Sequence, residues 1–283
     1  MLRAMDPFGA TCDPRLYVPR LGSEAALMAL CEGFAAGRVM SVLSGPPGLG
    51  KTMVLRVLAE RLRGAQCAYV PVPSLGIEEL AQVALDAFGE PTAGDRASVA
   101  LAAFALRAPS APAVLLVDDA SAIPMPTARA LREIADALGG ALRVVAAAVD
   151  DARSAAAIAA LGGEVLHVRL RHALTPSEVR AYVRGRLERA GKAEDAAALQ
   201  DEHLDWLAAE SAGVPREVNT LLTQILHADL DRTQGGLLGS ELSGGAIGAG
   251  PEQLTLWDAP GAEALEAEGS AADPPWARAR KRS

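Results

Sequence analysis

Between Val39 and Leu62 the chain reads as a buried strand, a glycine-rich turn and a helix in immediate succession, an order that few folds accept. Val39-Met40-Ser41-Val42-Leu43-Ser44 is an apolar run of strand length, and beyond the turn Val54, Leu55, Leu58 and Leu62 recur at helical spacing. The turn itself, Gly45-Pro46-Pro47-Gly48-Leu49-Gly50-Lys51-Thr52, has the full spacing of a phosphate-binding loop. Its glycines let successive backbone N–H groups turn inward around an anion, and the helix N-terminus adds its own partial positive charge. Lys51 places a compact ammonium on the outer phosphates, and the Thr52 hydroxyl suits Mg²⁺. Of 27 basic residues only Lys51, Lys192 and Lys281 are lysine, and a planar arginine would not occupy the same place in the turn. Gly45, Pro46, Pro47, Gly48, Leu49, Gly50, Lys51 and Thr52, with Met53 adjoining, are therefore the candidate ATP-binding residues. The alternative is a Gly/Pro turn that happens to precede a helix.

The most hydrophobic strand, Ala113-Val114-Leu115-Leu116-Val117, runs into Asp118-Asp119. In open α/β sheets ligands collect at the carboxyl ends of strands, which would bring this pair beside the turn. Asp118 is the candidate for holding the Mg²⁺ shell together with Thr52, and Asp119 the catalytic candidate for orienting the attacking water. The other reading is an Asp-Asp turn that caps the next segment. Further strands are expected near Ala68 to Val72, Arg143 to Ala148 and Val165 to Leu170. They alternate with helices over Ser23 to Ala36, Ile77 to Phe88, Ala97 to Arg107, Thr127 to Leu138 and Asp151 to Leu161. Five strands so arranged predict an α/β fold with a doubly wound parallel sheet.

After His172 the pattern becomes wholly helical. Thr175-Pro176-Ser177-Glu178 is a capping box with proline at the first helical position, and Val179, Tyr182, Val183 and Leu187 follow as an apolar stripe. Later helices are expected from Asp201 to Glu210 and from Pro215 to Asp231. The expected organisation is an α/β domain over 1–172, a helical lid over 173–234 and a disordered tail over 235–283, where Gly, Ala, Ser, Glu and Pro dominate without periodicity.

Cys12, Cys31 and Cys67 form no close pair, which supports neither a disulfide framework nor a zinc site and fits a reduced, cytoplasmic setting. No stretch has the length of a membrane span and no signal core opens the chain, so no membrane insertion is expected. A net charge of −8 argues against coating DNA by general electrostatics, although a local basic face is compatible with it.

The chain resembles the AAA+ ATPases of the general secretion pathway protein A (ExeA-like) group and their relatives among TniB-like transposition ATPases. The resemblance runs from about Asp6 to Leu230. It is carried by Pro7-Phe8, Asp13-Pro14-Arg15-Leu16-Tyr17, the glycine-rich turn, the Leu115 to Asp119 strand end, Leu174 to Glu178 ahead of Tyr182 and Arg186-Leu187, and Gly213-Val214-Pro215-Arg216-Glu217-Val218-Asn219. It implies a P-loop AAA+ fold whose five-stranded parallel sheet has helices on both faces, followed by a helical lid. It also implies ATP with Mg²⁺ as ligand and homo-oligomeric assembly in a ring or filament. Arg216 matches the family's sensor-2 arginine, a catalytic and ATP-binding position. A guanidinium in the first turn of a helix opened by proline can swing back to a γ-phosphate, although a plain surface arginine is the other reading.

The departures point to weakened hydrolysis. Where the family has Asp-Glu this chain has Asp118-Asp119, whose second carboxylate is pulled back by about 1.5 Å. Where the family places a polar sensor-1 residue stands Val149, with Asp150 and Asp151 beyond. Where arginines would offer a finger to a neighbouring subunit the chain reads Gly162-Gly163-Glu164, leaving Arg169 or Arg171 as substitutes. The expectation is a slow ATPase acting as a nucleotide-gated switch.

Secretion relatives continue into a transmembrane segment and a wall-binding domain that this chain does not show, which shifts the expectation toward the transposition relatives. Three classes stay open: an ATPase on DNA that serves a recombinase or replication partner, a reduced secretion ATPase for envelope assembly, and a nucleotide-bound scaffold. In the tail, Gln253-Leu254-Thr255-Leu256-Trp257 is similar to the short motif that docks on the sliding clamp, with Gln253, Leu254, Leu256 and Trp257 as contacts; an intramolecular dock is the alternative. The terminal Arg278 to Arg282 reads as a solvated charge run or a few phosphate contacts.

Overall fold

The computed structural model describes residues 6–9, 12–71, 74–91, 93–107, 112–162 and 164–225. Val72, Gly163, the part of the expected lid past 225 and the whole of the expected tail with Gln253, Leu254, Leu256 and Trp257 lie outside the described residues. The chain divides into two compact units, Cys12–His172 and a second formed by the described residues from Ala173 onward together with 6–9.

The first unit is built on five parallel strands: β1 (Met40–Gly45), β2 (Gln66–Val70), β3 (Ala113–Val117), β4 (Leu142–Val149) and β5 (Val165–Arg169), in the order β2-β3-β4-β1-β5. Sequence patterning follows position in that order. β1 and β3 are buried along their whole length, as interior strands covered on both faces must be, whereas the edge strands β2 and β5 are partly exposed. The crossovers are α2 (Lys51–Arg61), α3 (Ile77–Phe88) with α4 (Ala97–Arg107), α5 (Met125–Ala137) and α6 (Ala152–Ala160), and α1 (Leu21–Ala35) precedes β1.

On one face Val42, Val70, Leu115 and Val144 pack with Leu80, Leu101 and Leu131 from α3, α4 and α5. The alternate residues Leu43 and Val145 are buried on the opposite face, where α1 and α2 contact β1, β4 and β5. Burial of a leucine such as Leu115, with none of its surface exposed, contributes about 1.5–3 kcal/mol. The segment before α1 is tied down polarly. Asp13 caps the short turn Pro14–Leu16, and the Tyr17 hydroxyl bonds Ser23 at 2.7 Å and Glu24 at 2.8 Å, while Arg61 of α2 grips the same Glu24 at 2.7 Å.

In the second unit the capping box at Thr175 starts α7 (Pro176–Arg189) as its sequence predicts. There follow α8 (Ala193–Ala198), a short helix that periodicity is too brief to announce, α9 (Asp201–Glu210) and a helix over 215–225. Arg186 of α7 is buried, donating from Nε to the Pro7 carbonyl at 2.5 Å and from a terminal nitrogen to the Tyr182 hydroxyl at 2.8 Å. That hydroxyl in turn donates to Asn219 at 3.0 Å, and Phe8 is buried in the same unit. No helix among the described residues is long and apolar enough to cross a membrane.

Candidate functional site

The glycine-rich turn leaves β1 at its carboxyl end and closes on α2, whose cap is Gly50. Gly48 and Gly50 both take positive φ, 81° and 89°, which β-carbons would oppose. Alternation of left- and right-handed residues turns successive N–H groups to one side and makes an anion-binding concavity. Lys51 opens the helix, and its ammonium donates to the Gly45 and Pro46 carbonyls at 2.8 and 2.9 Å. Leu49 is buried beneath the loop, Pro46 and Pro47 are exposed, and Met53 is half-buried in the first turn of α2.

The two sequence constellations meet. The Thr52 hydroxyl donates to Oδ2 of Asp118 at 2.7 Å, across 66 residues of chain. Asp118 lies just past β3, where its backbone N–H still pairs with the Val70 carbonyl at 2.9 Å. Its Oδ1 accepts the Asp119 N–H at 3.0 Å. A hydroxyl and one carboxylate are hard oxygen donors, the set with which Mg²⁺ is held when it keeps most of its water and takes the rest of its shell from phosphates. Among the described residues no group of three or more His, Cys, Asp or Glu gathers into a metal cage.

Asp119 turns away from regular structure. It adopts φ 47°, ψ 46°, is exposed, and starts the short turn Ala120–Ala122. Val149 ends β4 opposite Gly45 in the β1 register, so an apolar side chain stands at the strand end nearest the turn; the Val149 backbone N–H donates to the Ser121 hydroxyl oxygen at 3.3 Å. Asp150 is exposed, while Asp151 caps α6 by accepting the Ser154 N–H at 2.7 Å. Arg169 of β5 pairs in register with Ser44 of β1, and both Arg169 and Arg171 are exposed. Arg216 belongs to the second unit, where it is exposed in the first turn of the helix over 215–225.

Three neighbours of the site have no sequence motif. Arg20, the residue before α1, donates to the Leu49 carbonyl inside the loop and to the His172 carbonyl at 3.1 Å. Tyr69 of β2 donates to Oδ2 of Asp118 at 2.7 Å. Arg56, one helical turn beyond Thr52, lays its guanidinium 3.4 Å above the Tyr69 ring. Nothing in the local pattern singles out the last two, because a tyrosine in a partly exposed edge strand and an arginine in an amphipathic helix are ordinary.

Residues 35–155 match the family described as AAA domain. No curated protein matches the chain. Among solved structures, Cdc6p from Pyrobaculum aerophilum is similar at 19% identity and a TM-score of 0.57, over 81% of this chain and 66% of that one. The Orc1 protein of Aeropyrum pernix, in complex with DNA, is similar at 20% identity and a TM-score of 0.53, over 76% of this chain and 62% of that one. The chain thus spans less than two thirds of the length of these structures. Identities this low speak for the fold alone, and the fold is that of AAA+ proteins, with its five-stranded parallel sheet between helices.

Proposed function

We propose that this chain binds ATP with Mg²⁺ in the turn around Lys51 and hydrolyses it slowly, working in the cytoplasm as a nucleotide-gated assembly factor of the ExeA-like and TniB-like kind. The observation that carries the reading is the 2.7 Å bond joining Thr52 at the loop to Asp118 at the end of β3. The inward-turned N–H groups of the loop and the Lys51 ammonium bind the phosphates, Thr52 and Asp118 hold the cation, and Arg216 senses the γ-phosphate. When bound, Mg²⁺ neutralises charge that develops between the outer phosphates.

Slow turnover follows from Asp119 and Val149. The left-handed backbone at 119 is one that Asp adopts at modest cost, and its carboxylate, one bond shorter than that of Glu, reaches less far toward a water. An apolar Val149 has nothing to donate to a phosphate. Purified protein is expected to turn over ATP well below one per second per subunit, and Asp119→Glu to raise that rate about tenfold, limited by the missing sensor and finger. A steady-state phosphate-release assay decides; several turnovers per second from the unsubstituted protein would remove the proposal of a slow enzyme.

Assembly is supported by two exposed apolar faces with the same pattern. Leu21, Ala25 and Met28 line α1, which lies beside edge strand β5; Val99, Ala103 and Leu106 line α4, which packs on α3 beside edge strand β2. Leu21 is 82% exposed and Val99 66%, unusual for large aliphatic groups unless a surface covers them. Faces at opposite edges suit a head-to-tail contact that repeats from copy to copy. Met28→Asp and Leu106→Asp are each expected to leave monomers by light scattering in ATP, while their mixture gives a dimer that cannot extend. Unaltered assembly of both variants would refute the contact. DNA as the substrate of the assembly is proposed by fold-level analogy to the DNA-bound Orc1 structure.

A further inference from the structure

Asp118 accepts hydrogen bonds from three directions. Thr52 and Tyr69 both donate to Oδ2 at 2.7 Å, and the Asp119 N–H donates to Oδ1 at 3.0 Å. An ionised carboxylate offers about four lone-pair sites, so about one is left for an outside donor. The three donors come from separate elements: α2, β2 and the turn that follows β3. With Thr52 alone, the half-buried carboxylate just past the end of β3 could pivot about a single bond; the Tyr69 hydroxyl on the β2 side removes that freedom.

Tyr69 is itself braced. Ala68 and Val70 point into the core with α3 and α4, so the tyrosine leaves the opposite face of β2. There the Arg56 guanidinium stacks on its ring at 3.4 Å, and Arg56 Nε is buried with no hydrogen-bond partner among the described residues. The stacked ring is what offsets the burial of that nitrogen. Burial first, and then the hydrogen bond and charge of Asp118, push the Tyr69 phenol well above its ordinary pKa, so the hydroxyl stays a neutral donor.

We propose that Tyr69, braced by Arg56, is a positioning residue for the divalent cation, fixing Asp118 against Thr52 so that the cation-binding oxygens are in place before the metal arrives. The inference rests on the ATP and Mg²⁺ reading of the site. Outer partners of this kind are typically worth 10–100-fold in metal affinity.

Tyr69→Phe keeps the ring and the Arg56 stacking and removes only the hydroxyl. Calorimetric titration with ATP is expected to show about a tenfold weaker affinity in Mg²⁺ and an unchanged affinity in EDTA, and the Mg²⁺ concentration giving half the affinity gain is expected to rise about tenfold. In an Asp118→Asn background, Tyr69→Phe is expected to change neither. Equal affinity of Tyr69→Phe and unsubstituted protein in Mg²⁺, an equal loss with and without the metal, or a further tenfold loss on top of Asp118→Asn would each overturn the positioning role. Unsubstituted protein that ignores ATP, or binds it alike in Mg²⁺ and EDTA, would instead sink the reading on which the inference stands.

Discussion

Lys51→Ala is expected to weaken ATP binding about a hundredfold while moving the melting temperature by no more than about 2 °C. Without ligand the ammonium is held by the Gly45 and Pro46 carbonyls, 2.8 and 2.9 Å away, on a half-exposed loop where water can replace it. Its loss therefore costs the folded chain little. Toward a triphosphate the same group would make charge-assisted hydrogen bonds, each contributing roughly 1.5–3 kcal/mol. Loss of about 3 kcal/mol corresponds to about two decades in affinity. Lys51→Arg is expected to recover only part of this, because a planar fork demands room that a turn pinned at Gly48 and Gly50 does not provide. Calorimetry in Mg²⁺ gives both numbers. An alanine variant that binds ATP as the unsubstituted protein does would mean that the concavity between Gly45 and Thr52 serves something other than phosphate.

The parallel sheet could be read from the chain because its interior strands are written as apolar runs. Ala113 to Val117 is uniformly apolar and is buried throughout, and the predicted bounds of β1, β4 and β5 fall within a residue or two of those observed. What sequence could not supply is anything that depends on a single backbone angle or on contacts between distant residues. Asp119 looks like a shortened glutamate in one dimension; its left-handed φ of 47° supplies a physical reason for the shortening. Tyr69 and Arg56 carry no motif, since a lone tyrosine in a strand and a lone arginine in a helix have unremarkable local patterns. Other residues that marked the family resemblance turn out to be structural: Pro7, Tyr182 and Asn219 form one hydrogen-bonded chain with the buried Arg186 in the second unit. At the centre of that chain is one buried guanidinium, whose desolvation demands partners of fixed geometry.

Gly45→Ala is expected to destabilise the first unit by about 3 kcal/mol, a cost that comes from the neighbouring strand and not from the loop. Gly45 ends β1 between Val149 of β4 and the exit of β5, where the Leu170 N–H donates to the Ser44 carbonyl at 2.8 Å. That pairing brings the Leu170 carbonyl across the glycine. A β-carbon at position 45 would lie 2.2 Å from this oxygen and 3.2 Å from its carbon, and both are backbone atoms that no rotamer change can move aside. β5 would have to retreat by about 1 Å to restore van der Waals distance, breaking the last rung of its pairing with β1. For a unit of this size the loss corresponds to about 6–12 °C in melting temperature. The substitution would also shift the Gly45 carbonyl that receives Lys51, so affinity for ATP should fall with stability, whereas Lys51→Ala separates the two. Chemical denaturation resolves the size of the effect. A midpoint change worth less than about 1 kcal/mol would show that β5 yields freely at this point and that close strand approach does not require glycine at position 45.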